Sequence, residues 1–142
     1  MRNRLSAILA LVCVINSGAF GATIYGIRGG NLVKFDTAAP ATFVLNVTIT
    51  GLFPLESIRA IDFRPLTGEL YALGTFSRLY VLNKTTGAAT FVGTIAPISG
   101  AIGFDFNPTV DRIRIVSDTD ENRRLDPNTG ATTAMDTALA YA

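Results

Sequence analysis

The sequence predicts an all-β fold, a β-propeller-like array of four-stranded antiparallel units. One observation behind this prediction is an internal repeat of 43 residues. Another is that the segments between turn residues are short and rich in β-branched and aromatic side chains, with no convincing helical stripe after residue 21. Four strands in about 40 to 45 residues is the period of a propeller blade. The alternatives are a β-solenoid, whose repeats are usually shorter, and a β-sandwich, which imposes no constant period.

The repeat is seen when the chain is shifted by 43 residues, because it then overlays itself without a gap. The phrase Asp62-Phe63-x-Pro65 falls on Asp105-Phe106-x-Pro108, and Thr86-Gly87-Ala88 falls on Thr129-Gly130-Ala131. We interpret the phrase as the start of a structural unit, because catalysis needs one site and not one per unit. The repeat signature consists of Asp62, Phe63, Pro65, Gly87, Asp105, Phe106, Pro108 and Gly130.

Three units make up the predicted domain, which spans residues 22–142. Their approximate bounds are 22–55, 56–98 and 99–142, and they are called units 1, 2 and 3 below. Unit 1 is a less regular copy, in which Ile24-Tyr25-Gly26-Ile27 matches Leu70-Tyr71-Ala72-Leu73 at a shift of 46 residues. It lacks the Asp-Phe-x-Pro phrase, so we expect three strands in unit 1 and four in each of the others.

Each strand is predicted from a short β-rich run between turn residues. Arg112-Ile113-Arg114-Ile115 alternates, which puts both Ile side chains on one face and both Arg side chains on the other. Gly29-Gly30-Asn31 predicts a hairpin turn in unit 1. The predicted strands of units 2 and 3 are 59–63, 70–74, 78–83, 89–94, 102–106, 111–117, 122–126 and 132–136.

The number of units bears on closure of the array. A closed propeller typically needs at least about four blades. We therefore expect either that the chain is truncated at its C-terminus, as a fragment of a longer protein, or that several copies assemble to close a ring. The fragment is favoured, because an oligomer would still have to satisfy the unpaired strand edges.

Residues 1–21 predict a secretory signal peptide. Arg2 and Arg4 precede an apolar run from Leu5 to Ile15, and small residues follow, with cleavage expected after residue 19 or 21. A membrane anchor is the alternative, but this run of eleven residues would form a helix of roughly 16 Å against a hydrocarbon core of about 30 Å. We therefore expect export to the periplasm or the extracellular space, and Cys13 leaves with the signal.

The composition that remains after cleavage excludes several classes of site. Without Arg2 and Arg4 the 12 basic residues become 10, against 11 acidic residues, for a net charge of −1. This balance gives no electrostatic argument for nucleic acid or an anionic membrane. With no His and no Cys after residue 13, Ser-His-Asp catalysis, Cys-His catalysis and Cys/His zinc sites are excluded.

Asp62 and Asp105 are the candidate metal ligands, because they hold matching positions on the first strands of units 2 and 3. First strands line the channel of a propeller, where carboxylates from successive blades could converge on calcium, which favours oxygen ligands. The structural alternative is that each Asp accepts hydrogen bonds from backbone or Thr groups in its own unit. Recurrence in successive units favours the structural role, and no catalytic or cofactor-binding residue is predicted.

The run DTDEN, from Asp118 to Asn122, has the spacing that opens a calcium-binding loop. Arg123 stands where that loop needs a glycine and Thr129 where it needs a glutamate, so we expect a solvated loop instead. The arginines nearby could form a small basic face, but local ion pairs are the simpler explanation. These arginines are Arg112, Arg114, Arg123 and Arg124.

Three stretches carry a resemblance to a known family. They are TIYGIRGGNLVKFDT, IDFRPLTGELYALGTFSRLYVLNKTTGAATFVG and GAIGFDFNPTVDRIRIVSDTDENRRLDPNTG, which span 23–37, 61–93 and 100–130. The resemblance extends over nearly the whole chain after the predicted signal peptide, from about Thr23 to Leu139. Together they resemble a family of exported bacterial proteins catalogued as domain of unknown function 4394. The resemblance implies a propeller-like fold in a longer protein. It implies no catalytic residues, because the family has no assigned activity.

The leading functional hypothesis is an exported, propeller-like binding or scaffold module without catalysis, with a protein or small ligand as partner. The alternative is a calcium-dependent hydrolase or lactonase-like propeller that uses channel-lining carboxylates such as Asp62 and Asp105. A third hypothesis is a truncated gene fragment without independent function. We expect no cofactor, no nucleic acid, no membrane association after signal removal, and self-assembly only if the chain is complete.

Overall fold

The computed structural model of the protein describes residues 21–138, so the predicted signal peptide lies almost wholly outside the described residues. Within this range the chain is all-β, with eleven strands and no helix, and hence none that could cross a membrane. The strands are β1 (Thr23–Arg28), β2 (Asn31–Asp36), β3 (Phe43–Thr48), β4 (Ile58–Arg64), β5 (Glu69–Gly74), β6 (Arg78–Leu82), β7 (Ala89–Thr94), β8 (Ile102–Asn107), β9 (Arg112–Ser117), β10 (Asn122–Leu125) and β11 (Thr132–Met135).

The strands form three antiparallel sheets, one for each unit. Unit 1 holds β1-β2-β3, unit 2 holds β4-β5-β6-β7 and unit 3 holds β8-β9-β10-β11, each in chain order. The predicted distribution of three, four and four strands is confirmed, and the strand at 89–94 has the predicted bounds. The hairpin turn at Gly29-Gly30 is also confirmed, since it joins β1 to β2.

Two apolar cores lie between the sheets. On β5, Leu70 and Ala72 belong to the core shared with unit 1, whereas Tyr71 and Leu73 belong to the core shared with unit 3. Successive side chains of a strand point to opposite faces, so unit 2 is buried on both sides. We call the contact between units 1 and 2 the first seam and the contact between units 2 and 3 the second seam.

Unit 3 shows the predicted alternation on β9. Ile113 and Ile115 are fully buried in the second seam. Arg114, between them in sequence, is exposed on the opposite face, and Arg112 is half-buried. The separation of apolar and charged side chains that the sequence predicted is therefore confirmed.

The repeated glycines of the signature contribute to the seams. Gly87 lies in the turn between β6 and β7 at φ 74°, a left-handed conformation that side chains with a Cβ rarely adopt. A Cβ there would also stand 2.7 Å from the carbonyl oxygen of Thr48 in unit 1. Gly130, its counterpart in unit 3, has φ 76° and lies against Ile95 of unit 2. Each glycine therefore lets a turn approach the preceding unit closely.

Candidate functional site

The structure brings the candidate metal ligands Asp62 and Asp105 close together on the neighbouring first strands β4 and β8. Asp62 Oδ2 accepts a hydrogen bond of 2.7 Å from the backbone N–H of Phe106, so this bond crosses the second seam instead of staying within unit 2. Burial raises the pKa of the Asp62 carboxyl, and the nearby Asp105 carboxylate adds to the rise. Asp105 itself is exposed.

The pair does not extend into a larger acidic group. Among residues 21–138, no three His, Cys, Asp or Glu side chains are grouped so that they could hold a metal ion. The DTDEN run provides the turn between β9 and β10, where Asp118 Oδ1 accepts a hydrogen bond from Ala101 N. Of the acids that the sequence singled out, Asp62 therefore makes a contact between units and Asp118 a contact within its own unit.

The phenylalanines of the repeat signature occupy equivalent places in the two seams. Phe63 packs edge-on against Tyr25 of unit 1 with ring centroids 5.5 Å apart. Phe106 packs in the same way against Tyr71 of unit 2 at 5.1 Å. Edge-to-face pairs of this kind are favoured by the ring quadrupoles. The residues that follow, Pro65 and Pro108, lie in the turns after β4 and β8.

Arg64 links unit 2 to two turns of unit 3. Its guanidinium makes a two-point contact with Asp111, with Nε–Oδ1 and Nη2–Oδ2 distances of 2.9 and 2.5 Å. Its Nη1 donates to Asn128 Oδ1 at 3.0 Å and to the Tyr71 hydroxyl at 3.3 Å. The hydrogen bonds from Arg64 lower the pKa of the Asp111 carboxyl. Two-point Arg–carboxylate contacts are geometrically specific, so this group fixes the alignment of the second seam.

A buried carboxylate of the first seam, that of Glu56, escaped the sequence prediction. Glu56 lies in the loop 49–57, which crosses from β3 to β4, and its side chain has no exposed surface. Its Oε1 accepts a hydrogen bond from Phe76 N at 3.2 Å. Its Oε2 accepts from the Tyr80 hydroxyl at 2.5 Å and from Arg78 Nη1 at 3.2 Å. Burial raises the pKa of Tyr80 to about 12, and the hydrogen bond to Glu56 contributes to the rise.

Aromatic rings pack against the Arg78 guanidinium that pairs with this carboxylate. The Arg78 guanidinium lies 4.2 Å from the ring centroid of Phe53, which belongs to the same loop as Glu56. Phe53 in turn packs edge-on against Phe91 on β7 at 5.7 Å. Cation–π and aromatic contacts therefore attach loop 49–57 to unit 2 at a second point.

A cavity of about 260 Å³ lies beside loop 49–57. It is bounded by the β1–β2 turn and the end of β3 on the unit 1 side and by the start of β4 on the unit 2 side. The lining residues are Ile27, Gly29, Gly30, Asn31, Thr48, Ile49, Leu52, Glu56, Ser57 and Ile58. The first seam therefore holds a concave site next to a buried charge.

Two weak signals for this region are present in the sequence. Glu56 is the lone charged residue in the otherwise uncharged stretch from Ile49 to Ile58. Gly74, at the end of β5, is a second signal, because a Cβ there would overlap the Glu56 carboxylate. Neither signal identifies the partners, since Tyr80 is separated from Glu56 by 24 positions.

Three of the four arginines singled out in unit 3 form ion pairs, the kind of contact that the simpler of the two hypotheses predicted. Arg114 and Arg124 both contact Asp136, with closest distances of 2.5 and 2.6 Å. Arg123 pairs with Glu121 and is itself buried. Arg112 donates to the carbonyl oxygen of Asp111.

These features define a repeat protein of antiparallel β-sheets, whose successive sheets are joined by aromatic pairs and buried polar contacts. The chain matches the model of the family described as Domain of unknown function (DUF4394) over residues 31–142, and it belongs to that family. The resemblance found in the sequence is thereby confirmed at the level of the family. No curated protein matches the chain.

Proposed function

We propose that this chain is an exported, non-catalytic binding module with a propeller-like arrangement of its units, and that it takes a small molecule in the first-seam cavity. The observation that carries the proposal is the cavity itself, about 260 Å³ in volume and closed on one side by a loop that Glu56 anchors. Small-molecule sites are concave and largely pre-formed, with an apolar lining and a few polar groups.

The propeller-like arrangement is supported by the way in which the units repeat their contacts. The same Tyr–Phe pair joins each unit to the next, and the first strands β4 and β8 lie side by side. The two crossing loops also begin with equivalent hydrogen bonds, because Ile49 N donates to Gly30 O and Ile95 N donates to Ser77 O. A constant relation between successive sheets is what a propeller requires.

The non-catalytic role is supported by the partners of the more buried acids. The carboxylate of Glu56 accepts three hydrogen bonds, and that of Asp62 accepts one from the next unit. Asp111 is paired with Arg64. Carboxylates with these partners stabilise the seams. Acting as a general acid or base would require them to break those hydrogen bonds and ion pairs.

Binding is tested with ligand-observed NMR and a library of small uncharged fragments on the mature chain. We expect fragments that bind the wild type but not the Ser57→Phe variant, because the introduced phenylalanine ring fills the cavity. Ser99→Phe is the matched control, because Ser99 is an exposed serine in the crossing loop of the second seam. Fragments that bind Ser57→Phe as well as the wild type, or no hits at all, would contradict the proposal.

Export rests on the sequence of residues 1–21 and is tested separately. The full-length chain is expressed in a bacterium, and the product outside the cytoplasm is analysed by intact mass and N-terminal sequencing. A mature chain that begins near Phe20 or Ala22 is expected. Full-length protein that stays in the cytoplasm would contradict export without touching the binding proposal.

A further inference from the structure

We infer that the ligand of the first-seam cavity is a small uncharged polyol or sugar of monosaccharide size. This inference rests on the proposed binding function and specifies the chemistry of the same site. Four properties of the cavity point to it: its apolar wall, its free hydroxyl and amide groups, the position of its one charged residue and its volume.

The apolar wall is aliphatic. It suits the C–H face of a saturated ring, which gains free energy when it leaves water. The contacts would be dispersive and non-directional, so they define a surface without selecting a functional group. The residues that form this wall are Ile27, Ile49, Leu52 and Ile58.

The polar part of the lining offers both donors and acceptors. The hydroxyls of Thr48 and Ser57 make no hydrogen bond with any residue in the range 21–138. Asn31 uses Nδ2 to donate to Asn46 Oδ1 at 2.7 Å, which leaves its Oδ1 as an acceptor. A hydroxyl group both donates and accepts, so a ligand with several hydroxyls can satisfy this mixed set.

Charge excludes ionic ligands. Glu56 is the one charged residue of the lining, and its carboxylate has no exposed surface because Phe76 N, Arg78 and Tyr80 hold it inside the seam. An ionic ligand would lose hydration without meeting a counter-charge in the cavity.

The volume sets the size of the ligand. A cavity of about 260 Å³ corresponds to about nine water molecules at roughly 30 Å³ each. That value is just below the range of roughly 300–1,000 Å³ for drug-sized ligands. A single six-membered ring with its hydroxyls is therefore the appropriate size, and an oligosaccharide or an acyl chain is not.

The test measures binding by isothermal titration calorimetry and saturation-transfer NMR on the mature chain. The neutral probes are glucose, galactose, mannose and myo-inositol, and the charged probes are glucosamine and glucuronate, which keep the ring and change the charge. Cyclohexanol tests the apolar wall alone. We expect at least one neutral probe to saturate the site, with its charged counterparts at least tenfold weaker.

The outcomes separate the ligand class from the binding function. If cyclohexanol binds and none of the sugars or myo-inositol does, the ligand class is wrong and the binding module stands. Charged probes that bind as tightly as neutral ones would also overturn the ligand class. If no probe of any kind binds, and the fragment library gives no hits either, both proposals fail together.

Two variants connect the binding to the lining. Thr48→Val keeps the shape and removes a hydroxyl, and Ser57→Ala removes the other. Each variant is expected to bind the neutral probe at least tenfold more weakly than the wild type does. Thr90→Val, at an exposed threonine on β7 away from the lining, is the matched control and should bind as the wild type does. Thermal melts of all three variants verify folding, and unchanged affinity in folded Thr48→Val and Ser57→Ala would overturn the inference.

Discussion

The two seams share one apolar frame and are closed by different polar contacts. In the first seam the crossing loop supplies a carboxylate, and unit 2 supplies the Tyr80 hydroxyl and the Arg78 guanidinium. In the second seam the crossing loop 95–101 contributes backbone groups, and its carbonyls accept from arginine side chains. Arg123, which takes the place of Tyr80 in the repeat, donates to the carbonyls of Ala96 and Pro97 at 3.0 Å each.

This difference shows which parts of the repeat are free to change. The Tyr–Phe pair and the turn glycines are present in both seams because the sheets must approach in the same way. The polar contacts of the crossing loops differ between the seams. Buried polar groups need a hydrogen-bond partner, and any well-placed donor or acceptor can supply it. The first crossing loop spans 49–57 and the second 95–101. The longer loop is the one that is anchored by its own side chain, Glu56, and that lines the cavity.

The largest effect is expected from the aromatic frame. Phe106→Ala removes a ring that is 3% exposed and should lower the free energy of unfolding by about 4 kcal/mol. Phe63→Ala removes the equivalent, half-buried ring and should cost about 2 kcal/mol. Chemical denaturation measures both, with each Phe→Leu variant as the control. An equal or larger loss in Phe63→Ala would show that the first seam depends on its aromatic pair at least as strongly.

A smaller loss is expected from the buried carboxylate of the first seam. Glu56→Ala leaves the Tyr80 hydroxyl and the Arg78 guanidinium without their acceptor, at a cost of about 3 kcal/mol. Glu56→Gln keeps the shape and should cost about half as much. A double-mutant cycle between Glu56→Gln and Tyr80→Phe should give a coupling of about 1 kcal/mol. Additive effects would contradict a direct interaction.

The Arg64 group of the second seam gives the third effect. Arg64→Lys cannot reproduce the two-point contact and should cost about 2 kcal/mol. Arg112→Lys is the control, since Arg112 donates to one backbone carbonyl, and it should cost under about 0.5 kcal/mol. If Arg112→Lys lowered the free energy of unfolding as much as Arg64→Lys does, the effect would come from replacing any arginine and not from the geometry of the Arg64 contact.

The same contact predicts an acid dependence. The pKa of Asp111 is lower in the fold than in the unfolded chain, so its contribution is complete above the ordinary Asp pKa and is lost as pH falls below it. Denaturation midpoints between about pH 2 and 5 should therefore fall less steeply in Arg64→Lys than in the wild type. Parallel curves would contradict this assignment.

The smallest effect is expected at Asp62, whose pKa is shifted in the opposite direction. Its pKa is raised by burial, so its contribution is complete below the ordinary Asp pKa and is lost as pH rises through the raised value. Asp62→Asn keeps an acceptor for Phe106 N and should change stability by less than about 1 kcal/mol while removing this pH dependence. Calcium at millimolar concentration should leave the melting temperature of the wild type unchanged. A rise that disappears in Asp62→Asn would instead support a metal at this pair.

The repeat signature was predicted from the sequence, but its role in the structure could be predicted only in part. The period identified Phe63 and Phe106 as equivalent, and alternation placed Ile113 and Ile115 on the buried face. The partner of Asp62 was not predictable, because the bond to Phe106 crosses between units and no local pattern records which unit an acceptor faces. Asp136 was likewise missed as the partner of Arg114 and Arg124, since it lies beyond the arginine cluster in sequence.

The number of strands, their grouping into units and the buried faces of unit 3 were predictable from the sequence. These properties depend on period and turn chemistry, which are local along the chain. The burial of Glu56, its contacts with Tyr80 and Arg78 and the cavity beside it became visible only in the folded chain. Those contacts join a loop to strands of another part of the chain, and their free energy depends on the distance and solvent exposure that packing creates.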